Sequence, residues 1–194
     1  MGYKERGGVI LRTNGAKKTG CMCRVQKLIC CFCVISLTLC YPSIEADAFQ
    51  LNGWKLSEPT QVRCHVSTST QAYISGIYSF VSIWGAYCQE VKFVSVGSQG
   101  NISIEGNFGV HNGTYATCVH NGNDSHTITL YQLYTTASSV EQHETIVHEV
   151  GHALGLAHCE TVNNQNSVMR ALGFNNKPYP LSDDREGITY LYGE

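Results

Sequence analysis

Residues 148–158 read HEVGHALGLAH. His148 and His152 are four positions apart in a stretch of helical periodicity, so both imidazoles leave the same face of one helix. Two neutral imidazoles so placed can share one Zn2+ ion. Glu149 adjoins the first and reaches water at such a metal without being a ligand itself, the position of a general base. Gly155 lets the chain leave the helix with backbone angles other residues avoid. The turn can then return His158 to the same point. Three neutral His ligands leave a fourth position for water, which separates a catalytic zinc from a structural one. HExxH alone is a moderate signal; the eleven-residue HExxHxxGxxH is a strong one. The chemistry it fits is metal-assisted hydrolysis.

These residues need a helix beneath them and a frame around it. Val140 to Leu154 has helical spacing, with Val147, Val150 and Leu154 on one side. Upstream, residues 61–67 alternate as a strand does. Thr70 to Tyr87 then turns helical, with Tyr73, Ile77, Phe80, Val81 and Trp84 on one apolar face. Residues 91–96, 101–105, 114–120 and 127–133 read as further strands, separated by Gly, Asn and Ser clusters. Downstream, Ser182 reads as an N-cap before Asp183 and Asp184, and that helix runs to about Tyr192. The order is that of an α+β single domain.

The 194 residues carry 13 basic and 15 acidic side chains, a net charge of −2 that excludes the basic footprint of a nucleic-acid binder. The two ends differ. Seven of the basic residues but only three of the acidic ones lie in residues 1–48, so residues 49–194 carry a net −6. Residues 28–40, LICCFCVISLTLC, form an uncharged stretch too short for a membrane span, which needs about 20 residues. With Arg24 and Lys27 before it and Ala46-Asp47-Ala48 after it, the stretch reads as the apolar region of a signal peptide. Met22 makes a tidier start than Met1. Cleavage after Ala48 would make Phe49 the first residue of a secreted domain over 49–194.

Four cysteines then remain, Cys64, Cys88, Cys118 and Cys159, an even number that suggests two disulfides in an exported domain. If the strands at 61–67 and 91–96 run parallel, the end of the intervening helix returns near the start of the first. That topology favours Cys64–Cys88, and Cys118–Cys159 follows by elimination.

The 148–158 stretch resembles the zinc-binding signature of the metzincin metallopeptidases. Those proteins also carry a methionine turn beneath the metal. Ser167-Val168-Met169-Arg170 fits that role, with Met169 as a packing element rather than a ligand. Ala171 stands where astacin-like and serralysin-like members place a tyrosine, so a tyrosine ligand is not expected. Residues 180–193 resemble the closing helix of the matrixins, the matrix-metalloproteinase-like branch, and Trp84 with residues 91–96 resembles their first helix and second strand.

The resemblance spans residues 49–194. It implies a zincin-like domain: a twisted, mostly parallel sheet with an active-site helix and a C-terminal helix. It further implies a polypeptide substrate, one catalytic Zn2+ and a monomer. In matrixins a released N-terminal ammonium can pair with an Asp of the closing helix; Asp183 and Asp184 are the matching positions. The departures are also informative. The PRCGxPD cysteine switch is missing, and Arg63-Cys64 falls in the first strand instead. Phe49 to Val62 leaves no room for a folded propeptide. His111, His120, Asp124 and His126 lie where the family binds structural zinc and calcium but lack its spacing, so a second zinc or calcium is unsupported. The usual Pro-x-Tyr wall of the specificity pocket is absent after Met169, so substrate preference does not transfer.

The competing reading is a non-catalytic secreted module that binds zinc or is held by disulfides. Glu149 distinguishes the two, because a module that needs only the metal has no use for a base there.

Overall fold

The computed structural model describes residues 49–95 and 99–193. The leader expected over 1–48, with its Met22 start and apolar stretch 28–40, lies outside the described residues.

Strand β1 (Val62–Val66) buries alternate residues: Val62, Cys64 and Val66 face the core while Arg63 points out. A 3-10 turn over Thr68–Tyr73 leads into α1 (Ile74–Tyr87), so the helix proper begins later than its apolar spacing suggests. Ile77, Val81 and Trp84 are fully buried, one stripe at helical spacing. Strands β2 (Phe93–Ser95), β3 (Ile102–Asn107), β4 (Ala116–Gly122) and β5 (Ser125–Tyr131) follow, then α2 (Gln132–Thr136), α3 (Ser139–Ala153) and α4 (Ser182–Tyr192). The run expected as a strand to residue 133 thus stops at Tyr131, and α2 begins at Gln132.

The sheet has the order β2-β1-β3-β5-β4. All neighbours run parallel except β4, which pairs antiparallel with β5. This is the mostly parallel α+β arrangement expected. The β4–β5 turn places Asn123 and Asp124 at φ of 51° and 58°, the left-handed conformations that two-residue hairpins favour. β4 is therefore an edge strand, with one row of backbone groups unpaired. Helices α1 and α3 pack together, tied by the buried Trp84 indole N–H, which donates to the Val147 carbonyl at 3.0 Å.

Two expectations are corrected. The N-cap of α4 is Leu181, not Ser182, which is the first helical residue. The Asp184 carboxylate accepts the Leu181 N–H at 2.7 Å and so does the capping. The disulfides Cys64–Cys88 and Cys118–Cys159 are not formed: all four cysteines are free thiols. Their surroundings explain why. Cys64 sits mid-strand on β1, level with Ser95 of β2 and Ile102 of β3, whereas Cys88 is the C-cap of α1, ahead of β2. Cys118 lies on β4 within the field of Glu149, whereas Cys159 lies near Asp183, Asp184 and Ser167.

Candidate active site

Helix α3 begins with a capping box. The Ser138 N–H donates to Glu141 Oε2 at 2.7 Å, and the Glu141 N–H donates to Ser138 Oγ at 3.3 Å. From this fixed start the helix brings His148, Glu149 and His152 to the cleft. It ends at Ala153, and Gly155 then takes φ of +106°. A side chain at Gly155 would also collide with the Trp54 carbonyl. The sharp turn carries His158 back over the helix.

The three imidazoles converge. His158 Nε2 lies 3.3 Å from His148 Nε2 and 3.2 Å from His152 Nε2. Tetrahedral Zn2+ with Zn–N distances of about 2.0–2.1 Å separates its ligand nitrogens by about 3.3 Å, so the spacing fits that ion. The tautomers fit as well. His148 Nδ1 is 2.9 Å from the Val168 carbonyl and His152 Nδ1 is 2.8 Å from the Leu156 carbonyl. A carbonyl can only accept, so each Nδ1 carries the proton and each Nε2 offers its lone pair. Burial keeps both rings neutral, lowering His148 to about 3 and His152 to about 4. Among the described residues, these three form the one group of His, Cys, Asp or Glu side chains placed to hold a metal together.

Glu149 is 7 % exposed and lines the same cleft. Burial raises its pKa to about 8, and the Cys118 backbone N–H of β4 opposes that rise. The cleft holds about 540 Å³ and runs between the start of β4 and the segment 170–174.

Beneath the ligands, Met169 is buried with its sulfur against Gly151, where any side chain would strike it. The Met169 carbonyl accepts the Cys159 N–H at 2.7 Å. The Met169 N–H donates to Ser167 Oγ at 2.9 Å, and Ser167 Oγ in turn donates to Asp184 Oδ1 at 2.5 Å. Asp183 also lies beneath the turn, 3 % exposed, with neither carboxylate oxygen hydrogen-bonded.

Among the described residues, the remaining expected ones do not gather into a second group of three or more metal-ligating side chains. His120 Nδ1 lies 3.0 Å from His126 Nε2, and His120 stacks on Trp54 at 4.8 Å. Asp124 instead accepts the Ser57 N–H at 2.8 Å, and His111 is exposed. Sequence reasoning missed two contributors. Trp54 donates its indole N–H to the His152 carbonyl at 3.2 Å, a long-range contact with no local signal. Glu144 lines the cleft one helical turn before His148; its i−4 offset from a ligand could have marked it.

A mostly parallel sheet, an HExxHxxGxxH turn and a buried methionine beneath it define a metzincin-type metallopeptidase fold. The matrixin family model matches residues 89–193, and the chain belongs to that family of zinc metallopeptidases. Two solved structures of myroilysin share the fold. One has a TM-score of 0.55 at 15% identity, covering 75% of this chain and 98% of its own. The other has a TM-score of 0.54 at 16% identity, covering 74% and 87%. No curated protein sequence matches the chain. Among the described residues, no helix is long and apolar enough to cross a membrane.

Proposed function

We propose that this chain is a secreted zinc metalloendopeptidase with Glu149 as its general base. The observation that carries the reading is a carboxylate buried beside three convergent Nε2 atoms at the floor of an open cleft. His148, His152 and His158 would hold the ion. When bound, Zn2+ supplies a Lewis acid that acidifies water and offsets charge on the substrate carbonyl oxygen. Glu149 takes a proton from the attacking water as its oxygen bonds to the carbonyl carbon. Glu149 then delivers that proton to the amide nitrogen as the C–N bond breaks. The nearby Cys118 N–H favours the ionised carboxylate that takes the proton. The substrate lies extended along the free edge of β4, where Thr114 to Thr117 line the cleft and can pair with its backbone. Replacing Glu149 by Gln and measuring zinc content beside peptide cleavage tests the assignment.

The domain reading accompanies this proposal: residues 1–48 are a leader that directs secretion, and 49–194 are the catalytic domain. Release at Phe49 would free an ammonium where Phe49, Gln50, Asp183 and Asp184 line one small recess. The unpartnered, buried Asp183 carboxylate supports docking of that ammonium against α4. The contact of the Phe49 ring with Tyr190, 5.4 Å between centroids, already anchors the segment there.

A further inference from the structure

We propose that the recess floored by Glu144 binds the cationic side chain of a lysine or arginine flanking the scissile bond, with Glu144 as its counter-ion. The proposal rests on the peptidase reading above and adds the class of substrate.

Glu144 lies four residues before His148, so its side chain leaves α3 on the face that carries the metal ligands, one turn away. It lines the cleft and is only 2 % exposed. Its two oxygens differ. Oε1 accepts the Asn175 N–H at 2.9 Å, which fixes the carboxylate to the segment that closes the cleft. Oε2 is buried with no hydrogen-bond partner. Buried polar atoms are nearly always partnered, and an anchored carboxylate with one free oxygen is a preorganised acceptor for a charged donor.

The walls suit a long cationic chain. Tyr115 and Phe174 meet edge-on, 5.0 Å between centroids, at the mouth of the cleft. Such rings pack the methylenes of lysine and attract ammonium or guanidinium groups. Thr145 and Gly173 add uncharged lining. Arg170 also lines the cleft and its charge acts on Glu144, while its Nε donates to the Leu172 carbonyl at 3.2 Å. Leu172, 83 % exposed at the rim, extends the apolar approach.

Two measurements test the assignment. The first profiles cleavage of a mixed peptide library by the zinc-loaded protein and by Glu144→Gln, whose carbonyl oxygen can still accept the Asn175 N–H. Lys and Arg should be enriched at one position beside the cut. In the variant, kcat/KM for a lysine peptide relative to its norleucine counterpart should fall about 10- to 100-fold. The second follows amide chemical shifts of the metal-free protein. N-acetyl-lysine amide should move Thr145, Gly173 and Phe174, whereas N-acetyl-norleucine amide should not. A library cut without basic preference, or with a preference that survives Glu144→Gln, overturns the inference while the peptidase reading stands. Lysine-amide shifts in a protein that cuts no peptide leave the recess assigned and remove the peptidase reading. Absence of shifts at these residues overturns the assignment even where Glu144→Gln fails to fold.

Discussion

Asp184 and His148 are joined through a single residue. The Val168 N–H donates to Asp184 Oδ2 at 2.8 Å, and the Val168 carbonyl accepts from His148 Nδ1 at 2.9 Å. The closing helix therefore sets the position of the methionine turn, and the turn sets the tautomer and aim of His148. Asp184 sits at this junction, almost fully buried, with the Ser167 hydroxyl and the Leu181 N–H as further donors.

Asp184→Ala should therefore weaken both the metal site and the fold. Loss of a partner one step behind a ligand costs about 10- to 100-fold in metal affinity. The stranded donors should lower stability by about 1–3 kcal/mol. Zinc competition against a chromophoric chelator reads the first effect and urea unfolding the second. Unchanged zinc affinity would show that the Val168 carbonyl needs no support from α4.

Asp183 behaves differently, because both its oxygens lack partners. Burial, with Asp184 and Glu186 adding to it, pushes its pKa up to about 6. While residues precede Phe49, the folded chain holds this proton more tightly than the unfolded chain, where Asp titrates near 3.9. The associated stability is full below about pH 4 and is lost as pH rises through about 6, at most ~3 kcal/mol. Asp183→Asn in the extended protein should raise stability at pH 7 and leave it unchanged at pH 4. In protein beginning at Phe49, the same substitution should lower stability at pH 7, because it removes the ammonium's partner. Thermal unfolding of both forms at both pH values reads the difference. The same response in both forms would dismiss docking of the new N-terminus.

Thiol chemistry offers a separate check on the corrected cysteines. Burial pushes Cys64, Cys88 and Cys118 up to about 12. At pH 8 such a site holds about a thousandfold less thiolate than an open cysteine. Iodoacetamide should label them slowly in the folded protein and fully after denaturation without reductant. Intact-mass spectrometry counts the labels. Rapid labelling of native Cys64 or Cys88 would contradict their burial.

The contrast between what the chain made legible and what it hid follows interaction range. His148, Glu149, His152 and His158 lie within eleven consecutive residues, so a helix and one glycine turn suffice to join them. The stripe of Ile77, Val81 and Trp84 and the alternation of β1 also follow from local periodicity, whereas the mostly parallel order follows from the family resemblance. The cysteines misled because topology alone does not fix which face a side chain takes. Cys88 caps the C-terminus of α1, whereas Cys64 lies mid-strand on β1, level with Ser95 of β2. The cap of α4 was displaced by one residue because Asp184 reaches back to Leu181 and makes a serine unnecessary at that position. Trp54 on the His152 carbonyl is a contact across 98 residues, and no pattern within either segment announces it.

The central claim is that Glu149 moves protons and does not hold the metal. Zinc content and peptide turnover of Glu149→Gln, measured on one preparation beside the wild type, test it most directly. The account predicts one zinc per chain in both proteins and turnover lowered by about a hundredfold or more in the variant. Near-wild-type turnover by zinc-loaded Glu149→Gln would contradict it.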